Sequence, residues 1–321
     1  MGKLAIFDWF EREGGFDVDR DVSTHKPVLL GEVVRFLNPR SDGIYVDATL
    51  GGGGHTEAIL RASAPTGRVL AFDRDPDAIR RTGKRLAAYG DRLRTILGSF
   101  ADLRAHLEQD AFDARGGVDG IVADLGLSSD QLGDPERGFA FSLDGPLDMR
   151  FNPTQGPSAA DLVNELAEAQ LADLIYEYGD ERRSRAIARR IVTRRPITTT
   201  KELRAAVVAV LGPRRRGIDP ATRTFQALRI AVNQELAALD LFLDQAPRCL
   251  REGGRLVIIS YHSHEDRAVK HSFRSRKGDE FDVLTKKPVV SDASALADNP
   301  RARSAKLRAI ERIGPAPMSP R

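Results

Sequence analysis

Three aspartates, Asp47, Asp73 and Asp124, each end a short apolar run, and four consecutive glycines lie between the first two. A carboxylate at the end of an apolar run is typical of a buried strand whose carboxyl end faces a ligand. The glycines Gly51–Gly54 can bring the backbone close to that ligand because they carry no side chain. Asp73 follows them by roughly 20 residues, the separation at which an acid can accept hydrogen bonds from ribose hydroxyls. The pattern predicts a site for an adenosine-containing cofactor.

These residues belong to a unit of strand, glycine turn, helix and strand. Ile44–Val46 reads as the first strand and Val69–Phe72 as the second. Further strands are predicted at 94–97, 118–123 and 255–260. Because the carboxyl ends of parallel strands meet at one edge of a sheet, we expect the three aspartates to line that edge. The fold class that follows is α/β.

The spacing of the glycines bears on the identity of the cofactor. The dinucleotide-binding pattern G-x-G-x-x-G needs glycine or alanine at its last position. This chain has Thr56 there if the pattern starts at Gly51, and Glu57 if it starts at Gly52, which disfavours a nicotinamide-dependent oxidoreductase. The alternative pattern, acid-x-G-x-G-x-G, fits Asp47, Gly51 and Gly53, with a threonine in the first glycine position. That pattern resembles the S-adenosylmethionine loop of Rossmann-like methyltransferases. A tight turn that binds no ligand is the plainer alternative.

Composition limits the class of protein. The chain has 321 residues, a formal net charge of +3 and a pI near 9.1, which permits nucleic acid as a partner without requiring it. The single cysteine, Cys249, excludes an internal disulfide and a cysteine-based zinc site and fits a reducing compartment. No run approaches the roughly 20 apolar residues of a membrane span. We expect a soluble, cytoplasmic protein.

The secondary-structure pattern changes at Ser158, after which only helices are predicted until the fifth strand. Two capping boxes, Ser158 with Asp161 and Thr199 with Glu202, mark helix starts, and one long helix is predicted to carry an apolar stripe over 225–243. The predicted organisation is an N-terminal arm (1–24), a sheet domain in two parts (25–135 and 246–321) and an inserted helical domain (136–245).

Two further clusters invite a functional interpretation. Seven arginines lie in 181–195, and they form either a solvated basic face or a phosphate-contacting surface. The RNA-contact candidates are Arg189, Arg190, Arg301 and Arg303. The second cluster, 262–271, holds three histidines and two acids, but its spacing fits no zinc pattern, and we expect no metal there. We interpret it as polar groups at the end of the fifth strand.

Many separate motifs closely resemble the family of ribosomal RNA small subunit methyltransferase H. They are HKPVLL, DATLGGGGH, AFDRDPDAI, DGIVADLGLSSDQL, ERGFAF, GPLDMR, PATRTFQALRIAVNQEL, HSHEDRAVK and NPRARSAKLR. The resemblance implies a Rossmann-like class I methyltransferase sheet with an inserted all-helical RNA-binding domain. It implies S-adenosyl-L-methionine as the cofactor and methylation of the exocyclic 4-amino group of a decoding-centre cytosine in 16S rRNA. The expected partner is therefore 16S rRNA in the small ribosomal subunit.

Family ligand residues carry over by position. They are Gly53, Gly54, His55, Asp73, Phe100, Asp124 and Gln131, to which we add Asp47 as the acid of the glycine motif. Three departures are visible: the N-terminal arm is extra, Gly133 replaces a usual Asp, and His264 replaces a usual Leu. The two substitutions affect the details of the substrate loop rather than the reaction.

The chemistry implied by the resemblance is methyl transfer to a poor nucleophile, a cytosine amino group, which has to be positioned and deprotonated. The first candidate for this role is Asp124, and the others are Ser128, Ser129 and His262. A methyltransferase for another nucleic acid or a small molecule, and a non-catalytic RNA-binding assembly protein, remain alternatives. The oligomeric state is open, with a homodimer as one expectation.

Overall fold

The computed structural model describes residues 27–109, 114–213, 219–278, 280–292, 296 and 299–314. The predicted N-terminal arm lies outside these ranges, as does the side chain of Arg301. The described residues form two units: a helical unit, 129–235, and a sheet unit made of the residues on either side of it. The sequence places the corresponding boundaries at 136 and 245.

The sheet unit contains one seven-stranded sheet in the order β3-β2-β1-β4-β5-β7-β6. Its strands are β1 Ile44–Asp47, β2 Arg68–Asp73, β3 Leu93–Leu97, β4 Val118–Asp124, β5 Leu250–Ser260, β6 Phe281–Val283 and β7 Lys306–Arg312. The first five strands are parallel, and β7 runs antiparallel to both β5 and β6. The strand order reverses between β1 and β4, the point where such sheets bind ligands.

Both faces of the sheet are buried, as expected of parallel strands connected by helices. The helices of this unit are α1 Leu30–Leu37, α2 Gly54–Ala62, α3 Pro76–Arg85, α4 Leu103–Gln109, α11 Glu235–Gln245 and α12 Ser263–Arg276, and α11 starts at the unit boundary. Along β1, Ile44 and Val46 enter one hydrophobic cluster and Tyr45 enters the other. The sheet unit therefore has a Rossmann-like α/β fold into which the helical unit is inserted, and the predicted fold class is confirmed.

The helical unit contains α5 Ser129–Gly133, α6 Ala159–Glu165, α7 Glu168–Gly179, α8 Ser184–Val192, α9 Thr200–Leu211 and α10 Thr222–Asn233. Both predicted capping boxes are present, at Ser158 and at Thr199. The prediction of one continuous helix over 225–243 is wrong. Gln234 adopts a left-handed conformation with φ of 51°, and this ends α10 before α11 begins. No helix within the described ranges is long and apolar enough to cross a membrane.

Candidate active site

The glycine loop joins β1 to α2 and is held by backbone hydrogen bonds. Leu50 N–H donates to the Phe72 carbonyl at 2.7 Å, and Gly53 N–H donates to the Leu50 carbonyl at 2.6 Å. Gly51 and Gly53 have φ of +46° and +74°, which side-chain-bearing residues rarely adopt. A Cβ on Gly51 would meet nothing closer than 3.9 Å, so space remains in front of the loop. The loop is therefore shaped for a ligand to approach its backbone.

Replacing Gly53 with alanine should lower the free energy of unfolding by about 3 kcal/mol, because left-handed strain adds to overpacking. The new Cβ would lie 2.4 Å from Cγ2 of Thr82. Gly253→Ala is the matched control, since Gly253 has φ of +75° but nothing within 4 Å; it should cost about 1 kcal/mol. Urea denaturation of both variants measures the difference, and equal losses would contradict the packing argument.

Asp47 stabilises the glycine loop through hydrogen bonds. It is 1% exposed, and its Oδ2 accepts a hydrogen bond from the Thr56 hydroxyl at 2.7 Å. Its Oδ1 accepts a hydrogen bond from the Thr49 N–H at 3.1 Å. Burial raises the pKa of Asp47, while the nearby His55 and the two hydrogen bonds act in the opposite direction. These contacts assign Asp47 a role in holding the loop and the first turn of α2; its predicted role as a direct cofactor ligand stays a prediction.

Asp73, at the end of β2, faces the same loop. Its Oδ2 accepts a hydrogen bond from the Gly51 N–H at 2.7 Å, and its Oδ1 accepts one from the Asp75 N–H at 2.9 Å. Burial raises the pKa of Asp73 to about 6, although both hydrogen bonds lower it. Each carboxylate oxygen has a further lone pair, so the group can still accept hydrogen bonds from a ribose.

Cofactor affinity should depend on Asp73 ionisation. Because its pKa is raised to about 6, the acceptor carboxylate is present above that pH and is lost as the pH falls through it. We expect the affinity for S-adenosylhomocysteine, measured by calorimetry, to be constant above about pH 7 and to fall about tenfold for each pH unit well below 6. Asp73→Asn should bind weakly throughout without this dependence. An unchanged wild-type affinity at pH 5 would contradict the role of Asp73.

Asp124, at the end of β4, is the centre of a polar cluster. Its backbone N–H donates to the Thr49 hydroxyl at 2.7 Å, which ties β4 to the β1 loop. Its Oδ1 accepts a hydrogen bond from the Tyr261 hydroxyl at 2.7 Å, and its Oδ2 lies 3.4 Å from Nε2 of His55. The structure thus brings together three of the predicted residues, Asp47, His55 and Asp124.

His55 is 5% exposed and lies in the first turn of α2. Burial by itself lowers the pKa of His55, but the carboxylate of Asp124, 3.4 Å from Nε2, and the charge of Asp47 outweigh burial and raise it. A positive charge on His55 would partly balance the carboxylates of Asp47 and Asp124. Sequence reasoning missed Tyr261, the fourth member of the cluster, although its position directly after β5 places it beside the end of β4.

The other predicted site residues fall in different places. Phe100 follows β3, is half-buried, and packs edge-on against Phe242 with ring centroids 5.1 Å apart. Ser128 is the last residue of the first part of the sheet unit, and its Cβ lies near Gly51. Ser129 and the buried Gln131 belong to α5 of the helical unit. Their predicted roles stay predictions.

His262 acts as a helix cap. Its Nδ1 accepts a hydrogen bond from the Glu265 N–H at 3.4 Å at the start of α12, and its Nε2 lies 3.1 Å from the Glu265 carboxylate. Glu265 in turn accepts a hydrogen bond from the Tyr261 N–H at 2.8 Å. His262 therefore holds the segment that carries Tyr261, and both of its ring nitrogens already face Glu265 groups.

Comparison with known proteins places this site in a family. The model of the MraW methylase family matches residues 22–313. A protein from Thermomicrobium roseum named Ribosomal RNA small subunit methyltransferase H is 51% identical to this chain, over 91% of this chain and 94% of its own length. A protein of the same name from Acidobacterium capsulatum is 50% identical, over 90% of this chain and 98% of its own length. A third, from Sorangium cellulosum, is 49% identical over 91% of this chain and 92% of its own. The chain belongs to the MraW methylase family and is a methyltransferase.

Proposed function

We propose that the protein transfers a methyl group from S-adenosyl-L-methionine to the exocyclic 4-amino group of a cytosine in small-subunit ribosomal RNA. The observation that carries the proposal is the convergence of the glycine loop, Asp73 and Asp124 at the carboxyl ends of β1, β2 and β4 in a methylase-family chain. The relatives named above, which are about half identical over nearly their whole length, supply the substrate class.

The residues present fit the cofactor. The open space before Gly51 admits a ligand to the loop backbone, Asp73 can accept the ribose hydroxyls, and Phe100 stands at the end of β3, where its ring could stack on adenine. When bound, the cofactor supplies an electrophilic methyl group on a sulfonium. Asp124 lies at the same edge of the sheet, where the nucleophile has to approach that methyl group.

Asp124 is the residue we assign to the target amine. The nitrogen lone pair of a cytosine amino group is delocalised into the ring, so a hydrogen bond to a carboxylate oxygen would help to aim the nitrogen and accept its proton. Oδ1 of Asp124 accepts a hydrogen bond from the Tyr261 hydroxyl, and its Oδ2 lies close to Nε2 of His55. Each oxygen keeps a second lone pair that can take the substrate hydrogen bond.

The RNA-contact candidates differ in their surroundings. Arg303 is exposed. The nearby cations on β7, Lys306 and Arg308, are held by Asp266 of α12 at 3.2 and 2.7 Å and therefore stabilise the sheet edge. Salt bridges to Lys306 and Arg308 outweigh burial and lower the pKa of Asp266. We therefore propose Arg303, rather than Lys306 or Arg308, as a phosphate contact. The neighbouring Arg301 stays a second candidate.

Transfer of labelled methyl to free 16S rRNA, to assembled small subunits and to DNA tests the proposal. Label in either ribosomal substrate supports it, and the better of the two identifies the assembly stage at which the enzyme acts. Label in DNA alone, or in none of the three while S-adenosylhomocysteine still binds, would overturn the substrate assignment. The last result would favour a small-molecule methyltransferase or a non-catalytic assembly protein. The cytoplasmic location and the homodimer stay predictions.

A further inference from the structure

The segment 182–195 contains seven arginines and no acidic residue, in a chain whose charges otherwise nearly balance. Most of it is helix α8, which buries Ile187, Ala188 and Ile191. On the side away from these residues lie Arg185 and Arg189, which are exposed and four residues apart, a spacing that makes them neighbours on the helix surface. The exposed Arg182 lies in the turn before α8, three residues before Arg185. We call Arg182, Arg185 and Arg189 the outward stripe.

Two other arginines of the segment, Arg190 and Arg195, are less exposed. Arg195 donates hydrogen bonds to the carbonyls of Val163 and Leu166 at 2.7 and 2.5 Å, which fixes the connection between α6 and α7. Arg190 is half-buried, and its Nε is shielded from solvent. These two side chains are less available to a ligand than those of the outward stripe. The predicted pair Arg189 and Arg190 is thereby divided, and Arg189 is the member that faces solvent.

Some exposed arginines elsewhere in the chain have acidic partners. Arg61 pairs with Glu57 at 2.5 Å, Arg104 with Glu108 at 2.8 Å and Arg248 with Asp244 at 2.9 Å, each four residues apart on a helix. In the part of the chain that the structure describes, Arg182 and Arg185 form no ion pair, and Arg189 has only a 3.4 Å contact to Glu168. Like charges spaced this way repel each other. An anionic partner would remove that repulsion.

An exposed aromatic ring lies at the same end of the helix pair. Only four residues, 180–183, connect α7 to α8, so the two packed helices run antiparallel. Tyr176 in the last turn of α7 and Arg185 in the first turn of α8 therefore lie at the same end. Tyr176 is 61% exposed. Exposed arginines and an exposed aromatic ring at one end of a helix pair offer the two kinds of contact used in single-stranded nucleic-acid binding, in which bases stack and phosphates pair with cations.

We infer that the outward stripe binds backbone phosphates of a single-stranded segment of the RNA substrate, and that Tyr176 stacks on one of its bases. The inference rests on the proposed function for the identity of the RNA. It assigns substrate contact to Arg182, Arg185 and Tyr176, and it gives Arg195 a structural role, while RNA contact by Arg190 stays a prediction.

The test is the salt dependence of binding to a fluorescein-labelled oligocytidylate, measured by fluorescence anisotropy on the full chain. Each phosphate contact that is lost should reduce the slope of log K against log salt by about 0.7, so that Arg182→Gln/Arg185→Gln should reduce it by about 1.4. The control, Arg61→Gln/Arg104→Gln, makes the same change in net charge at ion-paired arginines and should leave the slope unchanged. Tyr176→Ala should weaken binding about tenfold at an unchanged slope.

Equal slopes for the two double variants would overturn the stripe assignment, and duplex RNA bound as tightly as the single strand would overturn the stacking assignment. Failure of the proposed function would look different: no methyl would reach ribosomal RNA even with the wild-type enzyme. Circular dichroism and S-adenosylhomocysteine affinity confirm that the stripe variants are folded. In the methyl-transfer assay they should raise KM for RNA and leave kcat within about twofold, because they do not touch the reacting atoms.

Discussion

Replacing Asp124 with asparagine should lower kcat for methyl transfer by about a hundredfold or more, the usual range for a lost proton acceptor. The substitution keeps the backbone hydrogen bond to Thr49 and the approximate shape of the side chain. It removes the negative charge and one of the two acceptor oxygens that face Tyr261 and His55. The measurement is single-turnover methylation at saturating RNA, combined with calorimetric binding of S-adenosylhomocysteine.

The combination separates two roles for Asp124. If the carboxylate contacts the target amine, kcat falls while the affinity for S-adenosylhomocysteine changes little. If it contacts the cofactor, the affinity falls and saturating cofactor restores turnover; that outcome would contradict the catalytic assignment. Asp119→Asn is the control, since Asp119 lies at the opposite end of β4 and accepts hydrogen bonds from the Ile44 N–H and from Arg251. It should keep kcat within about twofold.

Asp47→Ala should lower the free energy of unfolding by about 2 to 6 kcal/mol, because it leaves two donors without their acceptor at about 1 to 3 kcal/mol each. Those donors are the Thr56 hydroxyl, which is fully buried, and the Thr49 N–H. Since Thr49 also accepts the Asp124 N–H, the glycine loop and the end of β4 should loosen together. S-adenosylhomocysteine affinity should fall by at least tenfold as a result.

Asp47→Asn is the matched variant. Its amide oxygen can still accept one of the two hydrogen bonds, and the amide is uncharged, as the buried position favours. We therefore expect Asp47→Asn to retain most of the stability that Asp47→Ala loses. Urea denaturation of both variants provides the comparison. Equal destabilisation by the two would mean that the charge of Asp47, balanced by His55, matters more than its hydrogen bonds.

Much of the site was predictable because it depends on short-range pattern. Apolar runs ending in acids placed Asp73 and Asp124 correctly at strand ends, and the glycine spacing by itself indicated the loop between β1 and α2. Helix starts at Ser158 and Thr199 followed from their capping side chains. Each of these features is decided by residues close together in the chain.

Features decided by tertiary contacts were not predictable. The apolar stripe continues across Gln234, so periodicity alone could not show the left-handed residue that divides α10 from α11. The pattern also could not show that the two oxygens of Asp47 face Thr56 and Thr49, or that His262 caps α12. Strand β6, with three residues, is too short to give a recognisable alternation.

The most direct test of the central claim is the identity of the methylated atom. Small-subunit RNA is incubated with the wild-type enzyme and S-adenosylmethionine that carries a deuterated methyl group, then digested to nucleosides and analysed by mass spectrometry against authentic standards. The account predicts a single labelled nucleoside, cytidine methylated on its 4-amino nitrogen. Label on carbon 5 of cytidine, or on a nucleoside other than cytidine, would contradict the assignment of Asp124 to an exocyclic cytosine amine.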